Sequence, residues 1–418
     1  MSSGYILILL FCVLTMIGTA WISKKIHGSW FFPGAFFPLL WSLYISVSFL
    51  SAPEFRPQIL GAIMIALFSI VVTVGANIIS VTGVTTKERD PPKIKIDLIF
   101  YSGLILSFIS TMGIGLVVSM GFSWYQLEQS LLNLYVLPNL FASERYNEVL
   151  AIPTYVKMVM FLTYPAALIC GFVYPFLNGF KKWLSYVPIL ITIIYGTLFA
   201  VRSGILLSII LTFSGITCAK IYLRNDLKQW FQKVMTAGTA SGLLLFSIYI
   251  LLQWLRGGPE GYFIIDELIQ GAKAGILGSF SAFTIWFSSY DFTHHYSMGI
   301  NTFAAPMEIL GLTERASGFY TEFIPIGPSV TNIYTAFRGI VTDFGIVGSF
   351  IFFGIFGLGS AIAFKSISNG NIFASVPLSI FYSFTLFSPL ISIFTFNSII
   401  IAFIMFFGVL LLSKTQSI

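Results

Sequence analysis

Long apolar runs, parted by short polar stretches, set the pattern of this chain. They lie near 5–23, 29–51, 58–80, 97–120, 158–178, 183–201, 203–222, 234–254, 337–364, 372–394 and 398–413. Most are close to, or above, the ~20 residues that a helix rising ~1.5 Å per residue needs to cross a bilayer. They predict about eleven transmembrane helices, the last of them short. A backbone in hydrocarbon must satisfy its own hydrogen bonds, so the predicted fold class is an all-α polytopic membrane protein. No Gly/Ser linker, repeat or low-complexity segment divides the series, which predicts a single integral domain over 1–418. The run 5–23 has no basic residue before it and is followed by Lys24 and Lys25. A cleavable signal peptide shows the opposite order, so this run reads as a retained first span.

Two interruptions are much longer than a turn, roughly 121–157 and 255–336. Loops beyond ~12–15 residues are usually functional or disordered, and these are too rich in Trp, Tyr, Phe and Leu for disorder. In "WYQLEQSLLNLYVL", 124–137, Leu127, Leu131 and Leu134 recur at helical spacing, predicting a helix on the membrane surface or a cap on the bundle. "GAKAGILGSFSAFTIWFSSYDF" is apolar enough to suggest another crossing. One more crossing would move Lys365 and Lys414 to the other side, so a re-entrant or interfacial helix is the better expectation.

Composition supports the membrane assignment. The chain is 57% hydrophobic and 9% charged, against ~25% charged in soluble domains. Alternating sides at each span places fourteen basic and four acidic residues on one face. The other face holds eight basic residues (Arg56, Arg145, Lys157, Arg202, Arg256, Lys273, Arg315 and Arg338) against twelve acidic ones. Basic residues are retained in the cytoplasm, so the N-terminus is expected outside and the C-terminus inside. The net +6 then reflects topology and gives no reason to expect nucleic acid. The basic residues are twelve Lys to two Arg inside but two Lys to six Arg outside. The positive-inside rule does not separate the two side chains, whereas bidentate binding of phosphate does. The competing explanation is that the outer arginines simply pair with the outer acids. Cys12, Cys170 and Cys218 each lie within an apolar run and read as packing residues.

Candidate chemistry concentrates in two places. Arg202 sits about twenty residues from both Lys182 and Lys220, one bilayer crossing from each anchor, so the chain is expected to turn near Arg202-Ser203-Gly204. With no acid nearby in sequence, Arg202 is a candidate for an anionic ligand; a snorkelling anchor is the plainer alternative. In "NIYTAFRGIVTDFG", 332–345, Asn332, Ala336, Gly339 and Asp343 would share one helical face, with Arg338 on a neighbouring stripe. The three letters DFG lack the other kinase motifs, and "RGGPEG", 256–261, reads as a turn beside Arg256. His294 and His295 are adjacent and have no third His or Cys partner outside, so no metal site is expected. Asp343, His294 and Glu308 are, in that order, the candidate bases, while Asp291, Glu314 and Glu322 are further carboxylates in the outer segments.

"TNIYTAFRGIVTDFGIVGSF", 331–350, is similar to the Asn-x-Tyr-Thr…Asp-Phe-Gly-x-x-Gly signature of the oligosaccharide repeat-unit polymerases of bacterial surface polysaccharides, the O-antigen polymerase or Wzy family. "GTLFAVRSGILLSII", 196–210, resembles that family's Gly…Arg…apolar turn, with Gly196 and Arg202 further apart than in a Gly-Thr-Arg form. The span count and the long outer segment after the eighth run also look like the family. The resemblance implies a GT-C-like glycosyltransferase in the bacterial inner membrane. It would transfer a growing chain from undecaprenyl diphosphate onto a hydroxyl of the next lipid-linked repeat unit, on the periplasmic face. It would need no nucleotide sugar, metal or other cofactor. Its partners would be the donor and acceptor lipids, the bilayer and a chain-length regulator protein. Arg202 would match the diphosphate-contacting Arg, and Asn332, Tyr334 and Asp343 the second signature. By extension Arg338, Arg256 and Arg315 are candidate substrate contacts. Preorganised Arg forks can stabilise the departing diphosphate. Trp254, Trp286, Tyr320 and Tyr334 are candidate platforms for sugar rings.

Two alternatives stand beside this expectation. An O-antigen ligase would use the same donor and a functional outer His, which keeps His294 and His295 relevant. A flippase or other transporter would place its site near the midplane, commonly on broken helices. For the orientation, a reporter enzyme active only outside the cytoplasm is predicted to be silent when fused after residue 182 and active when fused within 255–336. The reverse pattern would overturn the charge argument.

Overall fold

A computed structural model of the chain describes residues 3–79, 94–119, 153–199, 201–224, 227–257, 265–291, 296–313 and 320–414. The proposed surface helix over 124–137 lies outside these residues, as do His294, His295, Glu314 and Arg315.

The helices follow the apolar runs. In chain order they are α1 (Ser3–His27), α2 (Pro33–Ser51), α3 (Ile59–Asn77), α4 (Ile96–Ser119), α5 (Thr154–Phe161) and α6 (Thr163–Val173). Then come α7 (Gly179–Leu184), α8 (Val187–Leu198), α9 (Arg202–Leu223), α10 (Leu227–Gly257), α11 (Ile265–Ser288) and α12 (Ala304–Ile309). After a short hairpin follow α13 (Ala336–Ser368), α14 (Ser375–Phe387) and α15 (Asn397–Ser413). Among the described residues seven helical stretches are long and apolar enough to cross a membrane: Gly4–His27, Pro33–Ser51, Ile59–Asn77, Ile96–Leu116, Thr154–Phe176, Arg202–Leu223 and Ala336–Ser368. Ile372–Phe387 and Asn397–Ser413 are apolar but shorter. The run 183–201 is divided between α7 and α8, and 234–254 lies within α10. This is a predominantly helical architecture compatible with a polytopic membrane protein.

One departure from the all-helical expectation is a hairpin of β1 (Ile324–Ile326) and β2 (Ser329–Thr331), paired antiparallel with Ile326 opposite Ser329. Gly327 (φ +59) begins its turn, followed by Pro328, a pairing of residues suited to a tight reversal. The apolar stretch expected as a re-entrant or interfacial element falls largely within α11, and its Phe280, Phe283 and Phe287 are buried.

The chain divides into two compact units. One falls within Met1–Asp90, Lys220–Gln232 and Lys273–Ile400, the other within Pro91–Ala219, Lys233–Ala272 and Ile401–Ile418. In the first, α1, α2 and α3 pack together and α3 lies along α13. Small residues bring these backbones close: a Cβ on Gly75 would fall 2.2 Å from the Gly354 carbonyl oxygen. Aromatic rings fill the space beside this crossing. Phe337 lies 4.6 Å from Trp41, 5.5 Å from Phe68, 5.7 Å from Phe283 and 5.3 Å from Phe353, between ring centroids. In the second unit α4 packs on α6 and α5. Cys12, Cys170 and Cys218 are buried and not joined in disulfides.

Among the described residues, three ion pairs join partners that the charge pattern assigns to a common face: Lys181 with Asp97 at 2.7 Å, Lys273 with Glu54 at 3.2 Å, and Arg338 with Glu322 at 2.6 Å.

The sequence reads 337–364 as one uninterrupted helix, but α13 is broken at Gly345, whose backbone (φ 66, ψ −174) is non-helical. Only glycine occupies that region at low cost. A Cβ there would also lie 2.6 Å from the Tyr296 ring. Gly345→Ala is therefore predicted to destabilise the protein by about 2 kcal/mol or more, read as a lowered unfolding temperature of the detergent-purified chain. An unchanged transition would mean that the break is not built into the fold.

Candidate functional site

The first part of α13, ahead of Gly345, carries both Arg338 and Asp343. Its start is fixed by packing: Thr335 precedes it in extended conformation, the Ala336 N–H donates to the Ser388 carbonyl at 2.8 Å, and Phe337 sits in the aromatic cluster. Because the helix begins at Ala336, Asn332 is not on its face as the spacing suggested. Its Nδ2 instead donates to the Tyr320 carbonyl at 3.2 Å, closing the chain that contains the hairpin.

Arg338 follows one residue after Phe337 and is buried. Its guanidinium carbon lies 3.9 Å from the Tyr334 ring centroid, 4.1 Å from that of Tyr320 and 5.2 Å from that of Trp286. Three ring faces thus surround one cation, an arrangement worth ~0.5–2 kcal/mol per good contact depending on desolvation. Burial holds the Tyr320 and Tyr334 phenols above their usual range, with Arg338 opposing the shift. Both are therefore neutral near pH 7 and present π faces rather than phenolates. Arg338 Nη2 donates to Glu322 Oε2 at 2.6 Å, while Nε and Nη1 are buried without a hydrogen-bond partner among the described residues. A buried donor left unpaired costs about 1–3 kcal/mol, and such exceptions in a folded protein call for an explanation.

Asp343 occupies a different position from the one expected of a base. It is wholly buried, and its carboxylate accepts four hydrogen bonds. Oδ1 accepts from Ser297 Oγ at 2.8 Å, the Asn301 N–H at 3.0 Å and Asn301 Nδ2 at 2.9 Å; Oδ2 accepts from the Thr302 N–H at 2.6 Å. The turn returns these bonds, since the Ser297 and Met298 N–H groups donate to the Thr342 and Asp343 carbonyls at 3.4 and 3.2 Å. Those carbonyls lie beside the Gly345 break, so the turn supplies donors where the regular helix is interrupted. Asp343 is a structural anchor for 297–302, closed to an incoming hydroxyl.

The remaining candidates are separately placed. Glu308, on α12, is half-buried and accepts from Asn397 Nδ2 at 2.9 Å. In the second unit Arg202 is the first residue of α9, so the turn comes just before it, and its guanidinium carbon stacks 3.9 Å from the Tyr249 ring centroid. Arg256 lies near the end of α10, its side chain outside the description. His294 and Arg315 also lie outside the described residues. Among the described residues no group of three or more His, Cys, Asp or Glu could hold a metal ion.

The structure therefore brings together Arg338, Tyr334, Tyr320, Trp286 and Glu322, and separately Asp343, Ser297, Asn301 and Thr302. Sequence reading missed Ser297, Asn301 and Thr302, because uncharged turn residues give no chemical signal. Only Gly299 in "SMGIN" hinted at the bend, and its φ of +99 is observed. Chemically, the first group offers a fixed cation with spare donors, suited to an oxyanion bearing several oxygens.

Asp343→Ala would leave the buried turn donors unsatisfied, and a loss of about 3 kcal/mol or more is predicted. Glu322→Ala, whose side chain is 60% exposed and makes one bond to the buried Arg338, should cost about 1–2 kcal/mol, less than Asp343→Ala. Thermal unfolding of the two variants side by side checks the contrast; equal shifts would refute it. No protein-family model, curated protein or solved structure matches this chain.

Proposed function

We propose that the chain is a membrane glycosyltransferase that polymerises undecaprenyl-diphosphate-linked oligosaccharide repeat units, as the O-antigen polymerase resemblance implies. The carrying observation is Arg338, a buried guanidinium ringed by Trp286, Tyr320 and Tyr334, whose Nε and Nη1 meet no hydrogen-bond partner among the described residues. It lies in the first turn of α13, where the N-terminal end of the helix dipole adds positive potential. Both features favour a diphosphate.

In the proposed reaction the acceptor hydroxyl oxygen bonds to the donor's anomeric carbon as the bond from that carbon to the diphosphate oxygen breaks. The bonding pair leaves with the lipid diphosphate, and the hydroxyl proton passes to a base. Arg338 stabilises the charge gathering on the diphosphate; a diphosphate contact for Arg202 follows from the family resemblance alone. Charged donors held in a site screened from water lower the barrier without reorganising. Asp343 is spent on the 297–302 turn, so His294 and Glu308 remain as the bases for this reading. The outward face, the inner-membrane location and the lipid-linked partners belong to the same proposal.

The broken helix favours a second reading, a transporter of lipid-linked oligosaccharides, since discontinuous helices commonly build transport sites. Gene deletion separates the two. Loss of the polymerase should leave surface lipopolysaccharide with one repeat unit and no ladder, whereas loss of the transporter should remove the outer-leaflet intermediate altogether. In the deletion strain, Arg338→Gln and Arg202→Lys are each predicted to fail to restore the ladder at normal protein level, and EDTA should leave wild-type activity intact. Polymer made by the Arg338→Gln protein would remove that residue from the diphosphate role.

A further inference from the structure

Arg338 and Glu322 form an unequal pair. They meet at 2.6 Å, but the arginine side chain is 10% exposed and the glutamate side chain 60%. A carboxylate placed for permanent neutralisation would commonly engage the planar fork through two parallel bonds. Here Oε2 engages Nη2, and Nε and Nη1 stay buried without partners among the described residues. The guanidinium is held among three rings at the head of α13. Glu322 belongs to an exposed run, 321–323, just ahead of β1. Its carboxylate can therefore swing into water with little loss of solvation, whereas the cation stays in place.

We infer that Glu322 is a displaceable internal anion that occupies part of the Arg338 fork in the substrate-free protein and yields it to the diphosphate. This rests on the reading of Arg338 as a diphosphate contact and deepens it. A diphosphate brings several oxygens and can fill Nε and Nη1 as well as Nη2, which a singly engaged carboxylate does not. Because the glutamate must first leave, every competing anion meets the same reduction in apparent affinity. Weakly held single phosphates then fall below useful occupancy while the stronger diphosphate does not. Glu322 thus sets the threshold of the site.

The test is direct binding of farnesyl diphosphate and inorganic pyrophosphate to the detergent-purified full-length chain, with farnesol correcting for the tail. Glu322→Gln removes the competing charge. Glu322→Asp keeps the charge but shortens its reach, so a general electrostatic field would survive and the contact would not. Both variants are expected to bind both probes about fivefold more tightly, the upper end for an exposed ion pair. Tighter binding by Glu322→Gln alone would show that charge and not contact matters, overturning the inference. Weaker or unchanged binding in both variants would do the same, as would a gain confined to the farnesyl probe. Failure of the parent reading looks different, because Arg338→Gln would then leave the affinity of the wild-type site unchanged for both probes.

Discussion

A helix interrupted inside an apolar protein leaves peptide carbonyls without their usual donors, and that constraint organises the region around Gly345. The 297–302 turn answers it in both directions. Its amides donate to the Thr342 and Asp343 carbonyls, and the Asp343 carboxylate in turn receives the Ser297 hydroxyl, the Asn301 side chain and the Asn301 and Thr302 amides. A buried carboxylate is tolerable when its lone pairs are occupied in this way. The break and the anchor depend on each other: without the turn the carbonyls lack donors, and without Asp343 the turn lacks an acceptor.

The same short stretch of helix that is pinned by Asp343 also presents Arg338. Between the Thr335 cap and the Gly345 break there is less than three turns of helix, too short to bend appreciably, so the anchor and the cation keep a fixed separation. Phe337 locks the stretch into the aromatic cluster of Trp41, Phe68, Phe283 and Phe353. Arg338 is thereby fixed in position, its side-chain entropy already lost in folding. The three aromatic faces compensate its burial in part without supplying a hydrogen-bond acceptor. Donors consequently remain for another anion.

This division of labour reassigns the residues of one motif. Asp343 holds the local backbone, Arg338 provides charge, Tyr334 contributes a ring face, and Asn332 ties the hairpin-bearing segment back through the Tyr320 carbonyl. A motif that looks like a row of catalytic groups is in large part the means of holding one cation still. Arg202, in the other unit, follows a similar local plan, stacked on Tyr249 at the first residue of its helix.

Much of the helical outline was legible in the chain itself, because crossing a bilayer demands length and apolarity, and both are properties of a linear string. The packing role of the cysteines and the shared faces of Lys181 with Asp97 and of Arg338 with Glu322 were likewise consistent with reading the charges along it. The sequence also singled out Arg338 and Asp343, since ionisable residues beside a span are costly enough to mean something. Their roles were another matter. Whether a carboxylate serves as a base or an anchor depends on donors from 297–302, some forty residues away in sequence, and no period or spacing reports that. The break at Gly345 was hidden for the same reason: glycine is tolerated in membrane helices, and nothing along the chain reports the Tyr296 ring packed against it or the turn that meets the non-helical backbone. Length and charge are local and additive, so the sequence carries them; the satisfaction of buried polar groups is a property of neighbours, and only the tertiary structure decides it.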